Sequence, residues 1–502
     1  MKNLLLVISD ALRPDHLGCY GSPRGNSPTF DNLAQHGCVF ENAFTVSPVT
    51  NVSISTLFTG CLPKVHGVRR HTSVLARDRP TLAEQLRQAG YQTGAVISCA
   101  TLDRSRGLDR GFDYYDDSFG PEAPKGIKAA DPDARTISRH SGTAMDRALR
   151  WLHGLDPGRP FFLFLHLFDT HSPYDPPREY RESRPTAYAG RVDGSEKEGL
   201  AIKLGEFIPE PADVEHLNYL YGGELWHTDR EADRLLRELR GMNRTAELLT
   251  LLTADHGVHL GERGIWGSGR RLYDRELHIP LILHGLPEIT GRRIPSLVPN
   301  TDVLPTVLEA LGLPLPAGIN GRSRLADMHN PGVPDDTVVY AETFMPAAAE
   351  NQRLAVRNRR WKLITPVPQA EGSVPDPRLS FQEQWQRARR LVYRLWHNRT
   401  GRRAQFRRAV DALLGGREQD AYRRIEDRDR QLLGQQPELY DLAADPEELN
   451  NLYETLPRVA KLMENELAFY SNRFLRGTAR PEQLSAEQLR QANDVLRQLG
   501  YK

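Results

Sequence analysis

NLLLVIS, at residues 3–9, decides the fold together with Asp10, which follows it directly. A run that is apolar in its interior and ends in polar residues is typical of a strand buried on both faces of a parallel sheet. Later runs of the same kind are TGAVIS (93–98), PFFLFLHLF (160–168), LLTLLTADH (248–256) and IPLILHG (279–285). The sequence therefore predicts a sheet with buried strands as the centre of the fold.

Helical patterns separate these runs. PTFDNLAQHG stops at Gly37 and TLAEQLRQAG at Gly90, and a glycine at that position is a common helix end. The stretches 142–155 and 224–240 also have apolar residues at helical spacing. Strands that alternate with helices predict an α/β fold, with a doubly wound sheet flanked by helices, over residues 1–340.

The pattern changes in residues 341–502, for which we predict a smaller C-terminal α+β domain. The runs 337–344 and 352–366 have the character of neighbouring antiparallel strands. The stretch of about 380–435 is rich in arginine and favours helix, so it predicts an insert of solvated helices. A basic docking face for an acidic partner is the alternative function for this insert.

Composition limits the partners and the location. The 502 residues carry 66 Lys and Arg against 65 Asp and Glu, so no overall field favours nucleic acid or an anionic membrane. Four cysteines are too few for a disulfide scaffold. No apolar run approaches the roughly 20 residues of a membrane span, and the N-terminus has the pattern of a strand rather than a signal peptide. We expect a cytoplasmic protein, and its oligomeric state stays open.

Polar residues follow three of the predicted strands: Asp10, Asp169–His171 and Asp255–Gly257. In an open α/β sheet, ligands bind at the carboxyl ends of the strands. A single Asp there is usually a turn or a helix cap, but three such groups indicate a divalent metal site, because a cation offsets the crowding of carboxylates. Oxygen ligands with one His favour Ca²⁺, Mg²⁺ or Mn²⁺, and Zn²⁺ stays an alternative.

The segment 43–60, AFTVSPVTNVSISTLFTG, is crowded with hydroxyl groups. Thr50 or Ser53 at the start of a helix here would face an anion across free backbone N–H groups. Either residue is therefore a candidate nucleophile. The alternative is that Thr50 is an ordinary helix cap and Ser53 a surface residue, and periodicity does not separate these interpretations.

Eight blocks of sequence extend this pattern over nearly the whole chain. They are SDALRPDHLGCYG (9–21), SPTFDNLAQHGCVFENAF (27–44), SPVTNVSISTLFTGCLPKVHGV (47–68), RGFDYYDD (110–117), PFFLFLHLFDTHSPYDPP (160–177), LLTADHGVHLGERGIWGSGRRLYDRELHIPLILHG (251–285), NTDVLPTVLEALGL (300–313) and PELYDLAADPEELNNL (437–452). Together they resemble the sulfatase-like branch of the alkaline phosphatase superfamily. The resemblance implies a mixed sheet in a large α/β domain, a smaller C-terminal domain with an antiparallel sheet, and a metal-assisted covalent mechanism.

The resemblance also implies roles for individual residues. Asp10, Asp255 and His256 match metal ligands, and Thr50 matches the nucleophile, which also contacts the metal. His171 matches a His that contacts the substrate or the leaving group. We predict one divalent metal ion. For substrate binding we add Asn51 and Arg270, with Arg271 as the alternative to Arg270.

The sequence departs from true sulfatases at several motif positions. Residues 50–54 are TNVSI, where sulfatases have Cys or Ser followed by X-Pro-Ser-Arg, and Thr cannot become formylglycine. Ala11 replaces the second Asp of the N-terminal pair, and ISCATL (97–102) replaces a Gly-Lys-Trp-His block. Ser268 replaces a later Lys or His. Most of the sulfate-recognition residues are therefore missing, and the chain is more similar to members with a Thr nucleophile.

From this we predict a metal-dependent hydrolase of phosphoric mono- or diesters or related esters, working through a covalent Thr50 intermediate. The substrate is then a small anionic ester. The alternatives within enzymes are a sulfuric ester hydrolase without formylglycine and a phospho-alcohol transferase. A binding protein without activity is disfavoured, because Asp10, Thr50, Asp255 and His256 are all present.

Overall fold

A computed structural model describes residues 2–71, 73–118, 138–183, 188–245, 247–331, 336–344, 352–367, 424, 428 and 436–475, the last five of these by backbone only. The predicted Arg-rich insert of about 380–435 lies outside the described residues, apart from Arg424 and Arg428. The helical form of that insert stays a prediction.

The strands of the described residues are β1 (Asn3–Ser9), β2 (Cys38–Phe44), β3 (Gln92–Val96), β4 (Tyr114–Asp116), β5 (Phe161–Leu167), β6 (Leu248–Thr253), β7 (His259–Leu260), β8 (Trp266–Gly267), β9 (His278–Ile279), β10 (Leu281–His284), β11 (Arg292–Pro299), β12 (Val339–Thr343), β13 (Arg353–Arg357), β14 (Trp361–Pro366) and β15 (Glu438–Asp441).

The helices are α1 (Pro28–Gln35), α2 (Thr50–Thr59), α3 (Pro63–His66), α4 (Leu82–Gln88), α5 (Ser141–His153), α6 (Arg178–Glu182), α7 (Glu196–Leu204), α8 (Pro211–Gly241), α9 (Asp274–Leu277), α10 (Val303–Ala310), α11 (Leu325–His329) and α12 (Pro457–Leu475). Short 3₁₀ turns lie at Pro14–His16, Gly18–Tyr20, Ala100–Leu102, Arg104–Arg106, Glu262–Gly264 and Asn300–Asp302.

A mixed sheet forms the centre of the large domain, with strand order β11-β2-β10-β6-β1-β5-β3-β4 and β9 paired to β2. β1 lies between β6 and β5 and pairs with both in parallel. Every residue of these three strands is buried, as expected for apolar runs that are covered on both faces. The structure confirms the predicted sheet of α/β type, and α5 packs against β3, β5 and α8.

The run at 279–285 forms a strand as predicted, but its direction differs from that of β1. β10 pairs antiparallel with both β6 and β2. The chain leaves β6 at Thr253, crosses the edge where the parallel strands end, and enters β10 from that same edge, so β10 must run back. This long crossing brings the loop of residues 254–277 over the carboxyl ends of the central strands.

The C-terminal strands form a second sheet, in the order β12-β13-β14-β15, with every neighbouring pair antiparallel. α12 packs on this sheet through Val459 and Met463, against Leu354 and Leu363. The sheet begins at Val339, so a boundary after residue 340 would fall inside β12. The division into two domains stays a prediction.

Among the described helices, none combines the length and the apolar character that a membrane crossing requires.

Candidate active site

Asp10 and Asp255 follow the adjacent strands β1 and β6, whose register pairs Ile8 with Thr253. One carboxylate oxygen of Asp255, Oδ1, accepts hydrogen bonds from the backbone N–H of Ala11 at 3.1 Å and of His256 at 2.8 Å. These bonds orient the other oxygen, Oδ2, which lies 3.4 Å from His256 Nε2. The parallel pairing of β1 and β6 therefore brings two carboxylates and one imidazole to one point.

Thr50 completes this group from a different element. It is the first residue of α2, after Val49 in extended conformation, and only 5% of its surface is exposed. Its Oγ1 lies 3.4 Å from Asp10 Oδ2 and 3.3 Å from His256 Nε2. The structure thus brings together Asp10, Thr50, Asp255 and His256, the four residues that the sequence placed in one site. Their chemical roles stay predictions.

Ser53, the alternative nucleophile, faces a buried hydrogen-bond network. Its hydroxyl donates to the carbonyl of Asp255 at 2.6 Å and accepts from Asn300 Nδ2 at 3.0 Å. The Thr45 hydroxyl is also 3.0 Å away. Ser53 therefore fixes the start of α2 against the loop that carries Asp255, and this contact positions Thr50 one turn earlier.

The buried charges of this site shift each other's pKa. Burial alone would raise the pKa of Asp10, but the nearby imidazoles of His166, His171 and His256 hold it well below its usual range. Burial and the charge of Asp10 raise the pKa of Asp255. Burial opposes protonation of His256, yet the two carboxylates raise its pKa. The buried carboxylates of Asp10 and Asp255 therefore favour a positive charge in this site.

The donor atoms of this site fit a divalent metal ion. Ligand atoms of Asp10, Asp255 and His256 lie within 4.8 Å of one another, and all three residues are buried. Asp10 Oδ1 and Asp255 Oδ2 have no hydrogen-bond partner within the described part of the chain. His256 Nδ1 donates to the Gly257 carbonyl at 2.8 Å, which turns Nε2 toward the two carboxylates. Two buried carboxylate oxygens without partners are costly unless a cation binds them.

His166 belongs to the site, although the sequence analysis treated it as part of a buried strand. It lies in β5 opposite Ile8 of β1, is fully buried, and places Nε2 3.4 Å from Asp10 Oδ2. Its contact orients the Asp10 carboxylate. A polar side chain in the otherwise apolar run FFLFLHL was the only signal in the sequence that pointed to it.

Replacement of His166 by glutamine is expected to weaken metal binding by a factor of about 10 to 100. Mutation of residues that contact and orient metal-ligating side chains has effects of this size. The measurement is a titration of the metal-free protein with Mn²⁺ or Ca²⁺. His153→Gln, at an exposed position of α5, is the matched control and should bind as wild type does. Equal affinity of His166→Gln and wild type would contradict the contact with Asp10.

His171 lies close enough to Asp10 for their charges to interact. Its Nδ1 donates to the Ser172 carbonyl at 2.6 Å, and its ring stacks on Phe168 with the centroids 4.4 Å apart. Burial lowers the pKa of His171 to about 4, against the opposing effect of Asp10. At neutral pH the ring is therefore neutral, with the proton on Nδ1, and Nε2 is a hydrogen-bond acceptor.

Asn51 is fully buried beside Thr50, but its amide serves a loop. Nδ2 donates to the carbonyls of Arg70 at 3.0 Å and His71 at 3.2 Å. This holds His71 near the site, where burial and the charge of His256 lower the pKa of its ring to about 4. His71 lies in no motif of the pattern, so the sequence did not point to it. Substrate binding by Asn51 stays a prediction.

Arg270 and Arg271 follow the turn at Ser268, and they differ in burial. Arg271 is buried, and its charge acts on Glu276 and His259. Its backbone N–H donates to Glu276 Oε2 at 3.4 Å, so Arg271 faces the interior of the loop. Arg270 is half-buried. Of the two, Arg270 remains the candidate for substrate binding.

Asp169 caps a helix. Its carboxylate accepts from the backbone N–H of Ser141 at 2.9 Å and from the Ser141 hydroxyl, at the start of α5. His140 Nδ1 lies 3.2 Å away, and ligand atoms of His140, Asp169 and Glu224 fall within 4.8 Å of one another. Asp169 therefore belongs to this second group and not to the group of Asp10, Asp255 and His256.

Known proteins match this chain in sequence and in fold. The sulfatase family profile matches residues 2–313. An arylsulfatase of Clostridium perfringens is 23% identical over 371 residues, which cover 64% of this chain and 77% of the relative. Iduronate 2-sulfatase of Homo sapiens is 26% identical over 348 residues, covering 59% of this chain and 63% of the relative. The crystal structure of the phosphonate monoester hydrolase of Agrobacterium radiobacter superposes with a TM-score of 0.65 at 18% identity, over 94% of this chain and 96% of that one.

The family match covers more than half of the chain, and the mixed sheet with its smaller C-terminal sheet agrees with the fold of the structural relative. The resemblance that the sequence blocks carried is thus confirmed. The chain belongs to the sulfatase family, in the alkaline phosphatase superfamily, and is an ester hydrolase.

Proposed function

We propose that the protein is a metal-dependent hydrolase of phosphoric mono- or diesters, or of related phosphonate esters, with Thr50 as nucleophile. One observation carries the proposal: Thr50 Oγ1 lies within 3.4 Å of both Asp10 and His256 at the start of α2. The hydroxyl of the helix's first residue meets the candidate metal ligands there, beside free backbone N–H groups that favour an anion.

A divalent ion bound by Asp10, Asp255 and His256 would lower the pKa of the Thr50 hydroxyl and neutralise charge on the ester. Thr50 Oγ1 attacks phosphorus, the Oγ–P bond forms, and the P–O bond to the alcohol breaks. The hydroxyl proton of Thr50 ends on the departing alcohol. Ser53 keeps the start of α2 in place during this step through its bond to the Asp255 carbonyl.

Water then resolves the phospho-threonine. The neutral ring of His171 holds its proton on Nδ1, so Nε2 accepts a proton from the attacking water as the new O–P bond forms and the Oγ–P bond breaks. That proton then passes to the Thr50 oxygen, which restores the hydroxyl of Thr50 and the neutral ring of His171. The resemblance implies only that His171 contacts the substrate or the leaving group, and the proposal makes it the base that acts on water. The tautomer that the Ser172 carbonyl fixes, with the proton on Nδ1, is the reason for this role.

The stretch ISCATL (97–102), which replaces the Gly-Lys-Trp-His block of sulfatases, carries no charged side chain. Cys99 lies in the stretch 97–102 and is buried, and burial raises the pKa of its thiol to about 12, so it is neutral. Its neighbour Thr101 donates to its sulfur at 3.3 Å. Together with Thr50 in place of a formylglycine precursor, this favours phosphorus over sulfur esters.

A panel of chromogenic esters tests the proposal. With Ca²⁺, Mg²⁺, Mn²⁺ or Zn²⁺ we expect turnover of p-nitrophenyl phosphate, bis-p-nitrophenyl phosphate or a phenylphosphonate ester, and little turnover of p-nitrophenyl sulfate. The names of the relatives, arylsulfatase and iduronate 2-sulfatase, favour a second candidate, a sulfuric ester hydrolase without formylglycine. Turnover of the sulfate ester alone would establish that candidate and end the phosphorus proposal.

A cytoplasmic location remains part of the proposal. The four cysteines are free thiols, and three of them are buried. Reduced thiols suit a reducing compartment.

A further inference from the structure

Strand β12 of the second sheet contacts two segments that lead to the candidate metal site. The backbone N–H of Glu342 donates to the carbonyl of Val46, shortly before Thr50, at 2.9 Å. The next residue along the strand, Thr343, donates its hydroxyl to the Gly269 carbonyl at 2.8 Å. Both strand residues are buried. One strand therefore contacts the segment that precedes the candidate nucleophile and the loop that carries the candidate metal ligands.

Gly269 is bonded on its other side to Glu276. Its backbone N–H donates to Glu276 Oε2 at 2.8 Å. The Glu276 carbonyl accepts from the backbone N–H of Gly257, the residue after His256, at 2.8 Å. A Cβ on Gly257 would stand 2.3 Å from the Arg275 carbonyl oxygen, so these two segments are in close contact. A continuous series of three hydrogen bonds therefore connects β12 to the residue beside His256.

Buried ion pairs hold the same loop on the second sheet. Asp274, at the start of α9, accepts from Lys362 Nζ of β14 at 2.7 Å and from Arg357 Nη1 of β13 at 2.8 Å. Its backbone N–H donates to Glu448 Oε2 at 2.7 Å. Lys362 is fully buried and also pairs with Glu448, at 2.7 Å. Loss of one partner of a buried ion pair is costly, so α9 keeps one position on this sheet.

The site depends on the relative position of two separate elements. Thr50 Oγ1, on α2, lies 3.3 Å from His256 Nε2, on the loop after β6. Groups that act together must be held within about 0.5 Å of their working geometry. Ser53 links the two elements inside the large domain, through its bond to the Asp255 carbonyl. β12 contacts the segments next to both elements, so it restricts the same distance from the second sheet.

We propose that the second sheet is part of the framework of the active site, with Thr343 as a positioning residue that sets His256 relative to Thr50. Thr343 acts through its bond to Gly269 and the two bonds that follow it. The inference rests on the proposed function, which supplies the divalent ion. The affinity for that ion then depends on a hydroxyl group of the C-terminal sheet.

Thr343→Val tests this role, because it removes the hydroxyl and keeps the branched shape of the side chain. We expect the dissociation constant of Mn²⁺ to rise about fivefold, the effect of one lost hydrogen bond on a loop that must be in place to bind the ion. Thr343→Ser keeps the hydroxyl and should bind Mn²⁺ as wild type does. Thr365→Val, at a half-buried position of β14 in the same sheet, is the matched control and should also bind as wild type does.

Thermal unfolding shows which variants are folded, and Thr343→Ala replaces the Val variant if that one unfolds. A folded variant that unfolds at a lower temperature but binds Mn²⁺ as wild type does would overturn the inference, since Thr343 would then serve stability alone. A loss that Thr343→Ser fails to recover, an equal loss in Thr365→Val, or wild-type protein that binds no Mn²⁺ would overturn it as well. Mn²⁺ binding is measured without turnover, so inactivity of wild type on the ester panel would refute the proposed function separately.

Discussion

Thr50→Ala is expected to lower the rate of ester hydrolysis by a factor on the order of 10⁴ or more, because a methyl group cannot attack phosphorus. The fold should persist, since the Thr50 hydroxyl contacts the side chains of Asp10 and His256 and the loss of such contacts costs about 1 kcal/mol. Steady-state kinetics, thermal unfolding and a metal titration are the measurements. Thr50→Ser should retain part of the activity because it keeps a hydroxyl.

Ser55→Ala is the matched control for this result. Ser55 lies on the same helix and its hydroxyl donates to the Asn51 carbonyl at 2.6 Å, so the variant loses a hydroxyl without losing the candidate nucleophile. We expect it to remain active. In wild type, rapid acid quenching should trap a phosphoryl group on the peptide that contains Thr50. Wild-type rates in Thr50→Ala, or a label on another residue, would disprove the assignment.

Asp255→Asn is expected to weaken metal binding by a factor of about 100 or more and to reduce turnover at least as strongly. Asp255 Oδ1 holds the loop through two backbone N–H groups, and an amide oxygen can keep those bonds. The variant therefore loses the charge of Oδ2 rather than the local structure. In wild type, saturating metal should stabilise the fold by about 3 kcal/mol at 100 times the dissociation constant, and this gain should vanish in the variant.

Asp302→Asn serves as the control for a buried carboxylate outside the site. Asp302 binds Arg324 Nε at 2.5 Å, and both side chains are buried. Loss of this charge should lower the unfolding temperature with and without metal alike, and leave the stabilisation by metal intact. If metal stabilised Asp255→Asn as much as wild type, the ligand set would be wrong.

The strands that carry the site could be predicted from the sequence because each of them has the same pattern. Buried parallel strands are continuous apolar runs, so β1, β5 and β6 stood out, and the acidic residues that follow β1 and β6 were placed together by the geometry of such sheets. The direction of β10 did not follow from its own composition, because an apolar strand has the same pattern in either direction.

The individual side chains of the site were harder to predict than the strands that carry them. Periodicity left Thr50 and Ser53 equivalent, and only the fold shows that Ser53 is bonded to the Asp255 carbonyl while Thr50 meets the carboxylates. His166 was hidden inside an apolar run. Contacts that cross between elements distant in sequence have no local signal.

The place of β1 between β5 and β6 affects how the chain acquires activity during synthesis. Ala11 and Asp255, which are bonded in the finished site, are 244 positions apart. The ribosome must therefore synthesise most of the large domain before the site can form. Until β5 and β6 have emerged, both edges of the apolar strand β1 remain unpaired. Closure of so long a loop is slow, and exposed strand edges aggregate. We expect newly made chains to depend on chaperones, and their catalytic competence to appear only after β6 has emerged.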